Sequence, residues 1–99
     1  MTTKIQSIHF DADQKLLDFV EEKVGKLTRY YEGIIESEVF LKLDKSITHE
    51  NKVAEIKLHI PGNDLFVKKQ CESFESAVDK AIEALSAQVK KHKEKSHGG

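Results

Sequence analysis

A single cysteine, Cys71, stands in 99 residues, so no intramolecular disulfide can form. A reducing compartment is expected, and Cys71, in alternation with Leu65 and Val67, reads as a buried, inert thiol. No apolar run approaches the ~18 residues that a membrane span needs. The opening MTTKIQSIHF has no basic leader ahead of an apolar block, which argues against a secretory signal. A cytoplasmic location follows, with no membrane contact. Low-complexity tracts and internal repeats are missing as well. Net charge is only −1, which argues against a general DNA coat or a polybasic membrane anchor. Nor is there a nucleophile elbow, a phosphate-cradling glycine loop or a paired-carboxylate motif, so no catalysis and no small-molecule substrate are expected.

What is present is a small chain with strong periodicity. At 11.3 kDa and 33% charged residues it allows one soluble domain, read as residues 1–95, with a disordered tail at 96–99. Such a domain buries roughly two-thirds of the surface its unfolded chain exposes. That suffices for one sheet-plus-helix layer but not for an enclosed active-site cavity besides.

Thr3–Phe10 reads as a first strand. The DAD stretch supplies an N-cap, Asp13 or alternatively Asp11 with Gln14 three residues on. Leu16, Val20, Val24, Leu27 and Tyr31 then recur at helical spacing, predicting a helix over about 14–32 that Gly33 is placed to end. In 36–44, Val39, Leu41 and Leu43 alternate with polar or exposed positions. In 52–60, Ala54, Ile56, Leu58 and Ile60 do the same against Val53, Glu55, Lys57 and His59. That is the period-two signature of a sheet with one dry and one wet face. The polar KSITHEN connection predicts a mobile hairpin loop. Pro61 and Gly62 suit the second and third positions of a type II turn. Residues 65–72 predict a last strand at a sheet edge. Ser73 caps a second helix, whose stripe is Phe74, Val78, Ala81, Ile82, Leu85 and Val89. The fold class is therefore α+β, a single-domain β-α-β-β-β-α chain. Both helices pack on one face of a four-stranded sheet, with strand one parallel beside strand two and the rest antiparallel.

Charge is informative by segment. Residues 1–22 and 32–85 are net acidic, whereas 23–31 hold Lys23, Lys26 and Arg29 with no acid, and 86–99 hold four Lys and Glu94. On a helical wheel Lys15, Lys23, Lys26 and Arg29 occupy one arc of about 120° beside the apolar stripe. Phe19 and Tyr30 lie inside it, and Glu22 falls there too. Cations interleaved with aromatics suit phosphate contact plus base or sugar stacking. They equally suit aromatics flanking a core with lysines snorkelling around them. On the second helix Lys80, Lys91 and Lys95 lie clear of the apolar stripe. Lysines near a helix C-terminus also complement its dipole, worth ~0.3–1 kcal/mol each. Four Lys within 90–95 exceed what capping needs and point to an anionic partner. The five histidines match no zinc spacing and the cysteine is alone, so no metal and no cofactor are expected. His92 borders the apolar stripe and reads as a packing residue.

FVEEKVGKLTRYYEGI, AEIKLHIPGNDLF and a helix closing on KKHKEK together resemble the short form of the ribosome hibernation-promoting factor family, also described as ribosome-associated inhibitor or sigma-54 modulation proteins. The resemblance runs from about Ile5 to Lys95. It implies the same β-α-β-β-β-α layer, similar to a double-stranded RNA-binding domain. It further implies binding to the small ribosomal subunit and its rRNA in the channel used by mRNA and tRNA. Occupying that channel would block translation and protect idle ribosomes under stress or in stationary phase. The rRNA contacts carried over are Lys23, Lys26 and Arg29 on the first helix and Lys90 and Lys91 on the second. Lys80 stands where it can replace one of two cations the family usually has near Ala84 and Ala87. Each lost phosphate contact would make the salt dependence shallower by about 0.7–0.9 log units. The C-terminal extension by which long-form members join ribosomes is missing from this sequence, and a monomer is expected.

Two other readings remain. One is a free-standing module for structured RNA elsewhere. The other is an interaction protein using the open sheet face around Phe40, Phe66 and Val53, where Lys42, Lys57, Lys68 and His59 dilute the apolar patch.

Overall fold

The computed structural model describes residues 2–8, 10–31, 33–45 and 49–98, with the side chains of Thr2, Tyr30 and 92–98 outside that description. Strand β1 (Thr2–Ile8) leads into helix α1 (Gln14–Tyr30). Strands β2 (Glu36–Leu43), β3 (Lys52–Ile60) and β4 (Asn63–Cys71) follow, and helix α2 (Phe74–Gly98) closes the chain. The sheet order is β1-β2-β3-β4, with β1 parallel to β2 and the other pairs antiparallel. This is the architecture that the periodicity predicts.

Local chemistry sets the boundaries. The Asp13 carboxylate accepts from the backbone N–H of Leu16 at 2.8 Å, satisfying one free donor of the first turn of α1. The Ser73 hydroxyl does the same for Ser76 at 3.1 Å at the start of α2. Between β3 and β4, Pro61 cannot take a positive φ, so Gly62 takes it at +79°, and Ile60 pairs with Asn63 across the turn.

Several boundaries differ from the expected ones. β1 stops at Ile8 rather than Phe10, because Phe10 turns to stack on Phe74 with ring centroids 4.5 Å apart. α1 ends at Tyr30 with Tyr31 as an extended C-cap, so Gly33 is not its terminator. Gly33 instead permits a close approach, since a Cβ there would meet the Tyr31 ring at 3.0 Å. β2 ends at Leu43, where Asp44 N–H donates to Asn51 O at 2.8 Å and closes the loop. Residues 46–48 of the expected mobile loop lie outside the described residues. The helical backbone of α2 runs to Gly98, into the segment read as a disordered tail; no proline or glycine interrupts it earlier.

One core joins the layers. Val39, Leu41, Ile56 and Leu58 of the sheet and Val20, Val24, Val78, Ala81 and Leu85 of the helices are fully buried. Each Val, Leu or Ile among these contributes about 1.5–3 kcal/mol by leaving water. Ser37, the one buried polar residue among the described residues, donates to the Thr3 hydroxyl at 3.1 Å. Cys71 is buried and free, as expected.

The opposite sheet face carries a charged corner. His59 on β3 meets Glu38 of β2 through Nε2 at 2.9 Å and Asp64 of β4 through Nδ1 at 3.0 Å. Glu36 of β2 is its cross-strand partner, Lys57 of β3 lies 3.8 Å from Asp64, and Lys4 of β1 lies 3.1 Å from Glu36. Ionised carboxylates only accept, so the two contacts together favour the doubly protonated ring. The hydrogen bond to Glu38, then that to Asp64, raises the His59 pKa above 6.5. The His59 bond lowers that of Glu38 below 4.5. A raised histidine contributes stability below its unfolded value and loses it as pH rises through its folded value. A depressed carboxylate loses its contribution as pH falls. In chelator-containing buffer the urea midpoint is therefore expected to be higher at pH 5.5 than at pH 8.5, with the difference shrinking in His59→Gln. An equal pH difference in both proteins would contradict this.

Candidate nucleic-acid interface

The topology makes the two helices parallel. α1 runs back from the end of β1 to the start of β2, and α2 folds back along β4, which shares the direction of β1. Their N-terminal turns therefore meet at one end, where Asp13, Lys15, Leu16 and Phe19 of α1 and Phe74 and Glu75 of α2 line a shared cleft with Phe10 and Asp11. At 1.5 Å per residue the last turn of α1 lies level with about Lys90, and α2, eight residues longer (25 against 17), runs on beyond it.

Charge follows this geometry. Asp11, Asp13 and Asp18 surround the start of α1, and Glu75, Asp79 and Glu83 form one i, i+4 row along the first half of α2. Lys26 and Arg29 lie in the last turns of α1, and Lys90 and Lys91 in the second half of α2; all four are exposed. The acids sit at the positive ends of the helix dipoles and the cations toward the negative ends, an arrangement that stabilises both helices.

The expected site residues do not all stand alike. Lys23 is half-buried on the α1 flank facing α2. Its Nζ lies 3.3 Å from Asp79 and 5.4 Å from the centroid of the Phe19 ring. Lys26 lies 3.7 Å from Glu22, the acid already visible in the basic arc. Arg29, Lys80, Lys90 and Lys91 have no ion pair among the described residues. Lys80 stands apart from the other three, beside the acidic row. Phe19 packs against the core beneath Lys23 and, partly exposed, lines the cleft between the helix starts. The side chains of Tyr30, the other stacking candidate, and of His92 lie outside the described residues. Ala87 is exposed, but Ala84 is partly buried against the core, so a longer side chain at 84 would emerge from the margin of the packed layer.

Asp79 is what the sequence reading overlooked. It is 56 positions from Lys23 in the chain, and only the packing of one helix beside the other brings them together. No motif marks such a pair. The pairing is solvent-accessible, so its own contribution to stability is small, about 0–1 kcal/mol. Its larger effect is to occupy a cation at the centre of the helix layer.

Comparison with known proteins decides the family. A sequence model described as sigma 54 modulation protein / S30EA ribosomal protein matches residues 3–97. The chain belongs to this family. Among its relatives, a ribosome hibernation promoting factor of Pseudomonas putida is 33% identical over 95 residues, covering 96% of this chain and 89% of the relative. The factor of the same name from Escherichia coli is 30% identical, covering 96% of each chain. The Bacillus subtilis ribosome hibernation promotion factor is also 30% identical, but this chain spans only 50% of its length. In structure the chain is similar to a ribosomal subunit interface protein of Coxiella burnetii, with TM-score 0.84 at 17% identity over 94% of this chain and 98% of that one. It is likewise similar to the N-terminal domain of Thermus thermophilus Protein Y, with TM-score 0.73 at 26% identity over 92% and 94%. The β-α-β-β-β-α layer is thus a fold shared with solved structures, one of them a subunit interface protein.

Among the described residues, the set whose donor atoms could hold a metal lies on the sheet face opposite the helices, at Glu36, Glu38 and His59. Among the described residues, no helix is long and apolar enough to cross a membrane.

If Asp79 holds Lys23 away from anions, Asp79→Asn releases one cation and removes one negative charge beside it. The variant is expected to elute from heparin at higher salt than the wild type. Elution at unchanged salt would mean that Lys23 takes no part in anion binding.

Proposed function

We propose that this chain is a ribosome hibernation factor. It binds the small ribosomal subunit in the channel shared by mRNA and tRNA, blocks translation by occupying that channel, and keeps idle ribosomes in store under stress or in stationary phase. The observation that carries this reading is that two parallel helices bring Lys26 and Arg29, in the last turns of α1, level with Lys90 and Lys91 of α2. The names of the relatives supply the partner: they are called ribosome hibernation promoting factors.

The mechanism requires no covalent step. Phosphate contacts from Lys and Arg fix position and orientation without reading sequence. Specificity then comes from fit, because folded RNA presents a particular spacing of phosphates that a rigid pair of helices can match. α2 is 25 residues long, so it spans about 37 Å at 1.5 Å per residue. That length lets Lys80 and Lys91, eleven residues apart on nearly one line, reach separate phosphate groups. Inhibition follows from exclusion: mRNA and tRNA cannot enter a channel already filled. The protein acts as a monomer in the cytoplasm.

The test is co-sedimentation with vacant ribosomes and with separated subunits, using tRNA as competitor. Wild-type protein is expected to pellet with the small subunit and to be displaced by tRNA. The variant K26E/R29E/K90E/K91E is expected to lose affinity by on the order of 100-fold or more, with the circular dichroism and melting temperature of the wild type. Lys23 is left unchanged, since a glutamate there would face Asp79. Undiminished pelleting of the variant would overturn the site. Equal affinity for free duplex RNA and for the small subunit would favour a general structured-RNA module instead.

A further inference from the structure

We propose that the open face of the sheet carries a site for a zinc-class divalent ion, with His59 Nε2 and the carboxylates of Glu36 and Glu38 as its ligands. The site lies on the face away from the helices and is independent of the anionic partner assigned to them.

The ladder builds it. Glu36 and His59 are cross-strand partners on β2 and β3, and Glu38 lies two residues along β2, on the same face by the period of two. These are the two central strands, so hydrogen bonds on both sides hold the three Cα positions. The donor atoms all lie within 4.8 Å of one another, and Glu38 Oε2 already stands 2.9 Å from His59 Nε2. Ligands at 2.0–2.2 Å on a tetrahedral zinc are about 3.3–3.5 Å apart. Rotation of two flexible glutamate side chains spans that difference without moving the backbone.

The nitrogen donor distinguishes this set from a group of carboxylates. Imidazole with carboxylate favours zinc and its neighbours, whereas magnesium and calcium seek oxygen alone. The ring is also aimed. Asp64 on β4 holds Nδ1 at 3.0 Å, which keeps a proton there and leaves Nε2 as the ligand atom. A carboxylate behind a metal-bound histidine orients the ring and strengthens its basicity. Lys57, 3.8 Å from Asp64, helps hold that carboxylate in place.

Local charge calls for a cation. Glu36, Glu38 and Asp64 bring three negative charges, and Lys4 and Lys57 bring two positive ones. With Lys4 withdrawn from Glu36, a divalent ion together with Lys57 balances the three carboxylates. Lys4, 3.1 Å from Glu36 and well exposed on edge strand β1, can swing aside, and water completes the fourth position.

The test is calorimetric titration of Zn2+ into the chelator-stripped full chain, with amide NMR spectra at each point. One equivalent is expected to bind, shifting the amides of 36–38, 59 and 64 first. His59→Gln should abolish that binding, and Asp64→Asn should weaken it about 10–100-fold. A double variant, His92→Ala with His97→Ala, should keep it, and Mg2+ should cause no such shifts. Because Asp64 is exposed and its replacement isosteric, that variant tests the site even if His59→Gln is unstable. No binding, binding unchanged in both His59→Gln and Asp64→Asn, or loss only in the His92/His97 variant would overturn the proposal.

Discussion

The apolar layer in which Val39, Leu41, Ile56 and Leu58 of the sheet meet Val20, Val24, Val78 and Leu85 of the helices sets what every other group can do. The buried side chains of the sheet and of both helices share this layer, so both helices lie on the same face. With β1, β2 and β4 running one way, both helices run the other. Parallel helices align their dipoles instead of cancelling them. Acids then belong at one end and cations at the other, as the distribution of Asp13, Glu75 and Asp79 against Arg29, Lys90 and Lys91 shows. A cationic surface on a chain of net charge −1 is thus a consequence of how the core is covered.

That surface is tempered. Lys23 and Lys26 are engaged by Asp79 and Glu22, while Arg29, Lys90 and Lys91 are not. Paired cations yield less to a phosphate than free ones, because an existing attraction must first be given up. On the proposed reading, Arg29, Lys90 and Lys91 should therefore carry more of the affinity than the half-buried Lys23. The acidic row of Glu75, Asp79 and Glu83 also gives the layer a polarity, attracting a polyanion at one end and repelling it at the other. Such polarity favours one docking orientation over its reverse.

Much of the fold was legible because its signals are local. Alternation in 52–60, the Asp13 and Ser73 caps and the Pro61-Gly62 turn each depend on neighbours in the chain, and each is found where the residues place it. Element ends were less legible. Phe10 looks like a strand residue until Phe74, 64 positions away, offers it a ring to stack on. The site was legible in outline only. A helical wheel places Lys23, Lys26 and Arg29 on one arc, but it cannot show Asp79 arriving from the other helix. The cluster of Glu36, Glu38 and His59 is hidden for the same reason. Its members are brought together by strand register, so no spacing rule for histidines reveals it.

The central claim is that the helices, and not the sheet, face the anionic partner. Lysine acylation footprinting of the protein, free and bound to the small subunit, reads this directly. Lys26, Lys80, Lys90 and Lys91 should lose reactivity on binding, while Lys42, Lys45 and Lys68 on the far side, which border a cleft floored by Val53, should keep theirs. Protection of the sheet lysines with the helix lysines still reactive would contradict the account.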